Sequence, residues 1–188
     1  MAYNRWYTYT YEPILRIADW SELSADVEKK VVAIFSWMPR TIMNISHTDK
    51  EHPGRKYKCE VFALQSVLEK LVQVSDDFNA IKKCELMKFD FDLPEHTAEL
   101  KRLCEALFDI FGSVAASKYL HFSAPKLIPM WDLELRKGKG FKDSPDGFIR
   151  YMSWFKDQLE DDDNYRAALQ RYPDNVIRGW DIICMERR

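Results

Sequence analysis

Apolar residues recur every three or four positions along most of this chain, the spacing that gathers them on one face of an α-helix. Val27, Val31, Ile34 and Met38 form the first stripe, and Pro39 ends it. Val61, Leu64, Leu68 and Leu71 form a second. Leu100, Leu103, Leu107 and Phe111 form a third, stopped by Gly112. Phe148, Met152, Phe155 and Leu159 form a fourth. Its start, Ser144-Pro145-Asp146, combines a capping residue, a proline suited to the first turn and an acid suited to the positive helix end. A last helix is expected through Ile177, Trp180 and Cys184. Period-two alternation is weaker. "RWYTYTYEP" predicts a short strand or an extended arm, and "LMKFDFDLP" a loop or edge segment. Residues 39–58 read as a polar, partly basic linker between two helices, and "LEDDDNY" as a solvated helix end.

The pattern therefore predicts an all-α, mainly helical fold. With 188 residues and no evident boundary, it is most simply one compact domain over 1–188. An apolar fraction of 46% and 14% aromatics supply a core that needs neither disulfides nor metal. Net charge is −2, so contact with nucleic acid requires a local basic surface. Cys59, Cys84, Cys104 and Cys184 are too scattered for a CxxC pair, which predicts reduced thiols in an intracellular chain and no iron–sulfur cluster. The start "MAYNRWYTYTYEP" lacks a signal pattern, and no apolar run approaches the ~18 residues of a membrane span. The histidines, among them His47 and His52, lack ligand spacing, so no metal or other cofactor is expected. Phosphate-loop, dinucleotide and serine-hydrolase motifs are missing.

One stretch concentrates the candidate chemistry: "SKYLHFSAPKLIPMWDLEL", residues 117–135. Ser113, directly after Gly112, is placed to cap a new helix over Val114–Phe122, so two helices meet through a very tight turn. The free N–H groups at such a start suit a phosphate, and Lys118 lies about one turn in. The prolines of "SAPKLIP" make the return segment extended. Met130 and Trp131 are expected to anchor it in the core. Asp132 then opens a short helix, "LELRKG". As a plain N-cap, Asp132 contributes ~1 kcal/mol. As a partner of Lys118, it can do general-base work or stabilise a developing cation.

The arrangement of hairpin, lysine, apolar helix, proline-rich return and aspartate resembles the helix-hairpin-helix DNA glycosylases. That superfamily includes the endonuclease III, adenine-DNA and 8-oxoguanine enzymes. "GSVAASK" stands for the hairpin motif L-P-G-V-G-x-K, and "IPMWDLEL" for the aspartate segment P-V-D-T-H-V. The "WD" version, with "SKYLHF" before it, also looks like divergent bacterial relatives, and "IRGWDIICMER" resembles their closing helix. Only Gly112 remains of the hairpin's glycine pair, and the interval from lysine to aspartate is about one helical turn shorter. The resemblance implies excision of a damaged or modified base after base flipping. In that reading Asp132 is the catalytic carboxylate and Lys118 the lysine of lyase-competent members, with the shorter interval favouring water as the nucleophile. Trp131, His121 and Trp37 are the candidates for holding the base. Ser113, Ser117, Arg40, Asn44, Arg55 and Lys56 are the candidates for holding the DNA. A bacterial, cytoplasmic, monomeric enzyme is expected, acting in repair or in removing a hypermodified phage base. The alternative is a non-catalytic helical module that binds nucleic acid or protein, with Asp132 a simple cap.

Overall fold

The computed structural model describes residues 2–37 and 61–186. Among the described residues, ten α-helices and one short 3-10 turn account for the regular structure, and no strand occurs. The helices are α1 (Ala2–Ile17), α2 (Val27–Trp37), α3 (Val61–Gln73), α4 (Ser75–Ile81), α5 (Pro94–Phe111), α6 (Ser113–Ser123), α7 (Leu133–Gly138), α8 (Pro145–Glu160), α9 (Asp162–Arg171) and α10 (Val176–Glu186). The all-α expectation holds. The stripes fall on α2, α3, α5 and α8, and the closing helix on α10, with Met38 of the first stripe outside the described residues. Among the described residues no helix is long and apolar enough to cross a membrane. The linker 39–58 lies outside the described residues, and Arg40, Asn44, Arg55 and Lys56 with it.

Helix ends follow local chemistry. Ser144 caps α8 by accepting the Gly147 N–H, with Pro145 in the first turn. Asp161, within the acidic run, separates α8 from α9 and accepts the N–H groups of Asp163 and Asn164. The expected loop "LMKFDFDLP" forms the 3-10 turn Leu86–Lys88 and then runs irregularly to Pro94. The segment "RWYTYTYEP" is helical, not extended. Its alternation is ambiguous, because Tyr7 and Tyr11 are also four apart and Ile14 follows at three. Burial of Tyr11 and Ile14 decides in favour of helix. The Tyr11 ring packs against His121, Phe122 and Tyr172.

Helix α6 sits at the centre. Every residue from Ala115 to Ser123 is buried, so its face toward α5 is not its only covered one. Gly112 alone connects the two helices. Its N–H closes α5 on the Phe108 carbonyl, and its own carbonyl accepts the Ala116 N–H to open α6. The φ of 74° at this joint favours glycine. Gly112 therefore takes the capping position assigned to Ser113, which is the first residue of α6 instead. A one-residue joint leaves no separate cap.

Helices α9 and α10 make another close approach. A Cβ on Gly179 would lie 2.0 Å from the Ala168 carbonyl oxygen, a backbone atom that cannot swing aside. Gly179→Ala is expected to destabilise the fold by about 1–3 kcal/mol through overpacking, read as a lower midpoint in urea.

Candidate functional site

Residues 124–132 leave α6 and return through the core without regular structure, with most of the segment buried. Buried backbone polar groups need partners. Here side chains from several helices provide them. The Pro125 carbonyl accepts from Asn175 Nδ2, and the Lys126 carbonyl from the Leu86 N–H. The Ile128 carbonyl accepts from the His121 ring. Met130 donates its N–H to Asp181 and accepts at its carbonyl from the Tyr151 hydroxyl (2.8 Å). Trp131 donates its N–H to Ser117 Oγ at 3.0 Å. The segment is thus held from α6, α8 and α10 at once.

Asp132 stands at the end of this anchored path, half-buried, with extended backbone. Its Oδ1 accepts the Glu134 N–H at 2.9 Å and caps α7. Lys118, on α6, is 5% exposed. Burial lowers its amine to about 8; Asp132 and Asp181 oppose that shift and Arg178 reinforces it. Asp132 is thus one of two carboxylates whose charge acts on Lys118. Arg178 and Asp181 are buried beside Lys118, and with the half-buried Asp132 they make a set of two cations and two carboxylates. The Arg178 guanidinium lies 4.6 Å from the Tyr11 ring centroid, and its Nη1 faces the Met130 sulfur at 3.8 Å. Such a set is tolerable in the interior because each charge has opposite charge and donors nearby.

Other assigned residues have different places. Trp131 is fully buried, stacked on Phe148 (4.9 Å, 17°) and Tyr151 (5.8 Å, 7°). It anchors the loop as expected, but its ring offers no face to a base. Its indole N–H has no hydrogen-bond partner among the described residues. His121 is likewise fully buried. Its Nε2 lies 2.8 Å from the Tyr11 hydroxyl, and Nδ1 faces the Ile128 carbonyl. A carbonyl can only accept, so Nδ1 carries the proton and Nε2 accepts from Tyr11. Burial lowers His121 to about 3, which keeps it neutral. It is a structural strut and does not hold substrate. Ser117 is fully buried and spends its hydroxyl on Val114 and Trp131, out of reach of DNA. Ser113 donates to Asp143, which is paired in turn with Arg136. A carboxylate of the chain itself therefore engages the Ser113 side chain. Trp37 ends α2, and its side chain lies outside the described residues.

Sequence reasoning missed Asp181, Arg178 and Tyr151. Asp181 and Arg178 lie three apart on one face of α10, a signal of pairing but not of what they face. A groove of about 480 Å³ opens beside α7, lined by Glu134, Leu135, Lys139, Trp154, Gln158 and Trp180 among others. This is the size range of small-molecule sites. No protein-family model, curated protein or solved structure matches this chain.

Two expectations follow. Ser117→Ala leaves the Trp131 N–H buried without its acceptor, at a cost of about 1–3 kcal/mol in unfolding free energy. Lys118 takes up its proton near pH 8 in the folded chain, against an ordinary value of 10.5. Between those values the unfolded state binds more protons, so this residue's contribution to stability rises with pH from about 8 toward 10.5. Urea unfolding at pH 8 and pH 9.5 should show that rise in the wild type. The rise should be smaller in Lys118→Met.

Proposed function

We propose that this protein is a DNA N-glycosylase that removes a damaged or modified base, with Asp132 as the reacting carboxylate. The observation that carries this reading is the Lys118–Asp132 neighbourhood at the end of a core-anchored return segment. A flipped nucleotide presented at the start of α7 would place its sugar against Asp132. As the base leaves, positive charge develops on the sugar, and a fixed carboxylate stabilises it most where water is scarce. Asp132 then orients water toward the sugar carbon. Lys118 balances the carboxylate charge from beneath. At 5% exposure its amine is poorly placed to attack a sugar itself, which supports the monofunctional, water-attacking mechanism over the lyase.

The cap hydrogen bond from Glu134 N–H to Asp132 supports a second reading, a non-catalytic helical module in which Asp132 only starts α7. One substitution separates the two. Asparagine caps about as well as aspartate, so Asp132→Asn should change stability by less than about 0.5 kcal/mol. It should nevertheless slow base release by about 10²- to 10³-fold, in line with loss of a transition-state charge contact. The measurement is base release from oligonucleotides carrying damaged and hypermodified bases, followed by alkali cleavage of the abasic product. Borohydride should trap no covalent adduct. If wild type releases none of the bases, the module reading stands.

A further inference from the structure

Many surface cations among the described residues are neutralised by a carboxylate. Lys29 pairs with Asp26, Lys70 with Asp109, Lys88 with Glu85, Lys101 with Asp146, Arg102 with Asp77 and Arg171 with Glu186. The segment Arg136-Lys137-Gly138-Lys139-Gly140-Phe141-Lys142 departs from that habit. Lys137, Lys139 and Lys142 are exposed, and none has an ion pair among the described residues. Arg16, Lys83, Lys126 and Arg150 are also exposed without an ion pair among the described residues, but they stand singly, whereas this turn carries three such lysines within six residues.

The turn is held in shape. The Phe141 N–H returns to the Arg136 carbonyl and the Gly140 N–H to the Lys137 carbonyl, both at 3.1 Å. Gly140 supplies the φ of 72° that this helix ending requires. Phe141 is anchored edge-on against Tyr151 at 5.7 Å. A Cβ on Gly147 would fall 2.0 Å from the Lys142 carbonyl oxygen, so α8 abuts the backbone there. Lys139 lies 5.2 Å from the Trp154 ring centroid, and Arg136 is tied to Asp143. A preformed cationic turn loses little freedom when it meets a polyanion.

Its position selects the partner. The turn closes α7, and Asp132 opens α7 six residues earlier, a rise of roughly 9 Å. A nucleic-acid strand carries one phosphate charge per nucleotide, so a strand whose sugar is held at Asp132 and that runs along α7 brings further phosphates to the turn. By contrast, the start of α6 already carries the Asp143 carboxylate. We infer that the turn Arg136–Lys142 binds the phosphate backbone of duplex DNA beside the nucleotide presented to Asp132. This rests on the glycosylase reading and adds to it the surface that holds the substrate.

The test is fluorescence anisotropy with a short labelled duplex across a range of potassium chloride concentrations. The full chain is compared with the triple variant Lys137→Gln, Lys139→Gln, Lys142→Gln. Each phosphate contact contributes about 0.9 to the slope of log affinity against log salt. The triple variant should lose about 2–3 from that slope and bind at least about 10-fold more weakly at low salt. Lys29→Gln, a surface lysine outside the turn, should keep the wild-type slope. Wild-type affinity and slope in the triple variant would overturn the inference, even if base release confirmed the enzyme. Selective loss of binding to phosphatidylserine vesicles, with DNA binding intact, would overturn it too. Slope loss in a chain that releases no base would uphold the turn and overturn the glycosylase.

Discussion

The structure depends on one constraint: a nine-residue segment without helix or sheet must cross the core with its backbone polar groups satisfied. Each unpartnered N–H or carbonyl there would cost about 1–3 kcal/mol, a large share of the few kcal/mol that separate a folded domain from its unfolded state. Ser117, His121, Tyr151, Asn175 and Asp181 meet that demand from three helices and the α9–α10 connection. This explains why α6 carries serines, a lysine and a histidine although it is buried throughout. Ser117 and His121 serve the neighbouring segment and not the solvent. The same requirement explains Tyr11, whose hydroxyl gives His121 the second partner that a buried imidazole needs.

Much of the architecture was readable from residue order. Long amphipathic stripes announced α2, α3, α5 and α8, because a helix that buries one face leaves a period in its sequence. The Ser144-Pro145 start and the Asp132 cap were readable for a local reason: both are side-chain bonds to amides two or three residues away. The α1 helix was not readable, since Tyr11 is fixed by α6 and α10, more than a hundred positions on. Central α6 shows little periodicity, as expected of a helix covered on several sides.

The site divides along the same line. That Asp132 would end a Trp-anchored return followed from two prolines and the Trp-Asp pair. The roles of Trp131 and His121 did not, because a tryptophan or histidine reads alike in a pocket and in a core until its neighbours are known. Phe148 and Tyr151 cover Trp131, and the Ile128 carbonyl takes the His121 proton. The anionic end of the Ser113 contact was equally invisible, since Asp143 lies thirty positions away across two helices.

A segment held in this way is not a modular loop. Where an active-site residue sits on a loop that hangs from a rigid frame, its sequence can be exchanged while the frame stays intact. Here the segment that presents Asp132 is part of the frame. Its backbone is threaded through partners contributed by distant helices, so grafting another protein's return loop would orphan Ser117, Tyr151 and Asp181 together. New specificity on this scaffold would have to arise at the outward-facing positions of α7 and the turn beyond it, such as Glu134, Lys137 and Lys139, and not at Leu135 or Phe141, which pack against the core.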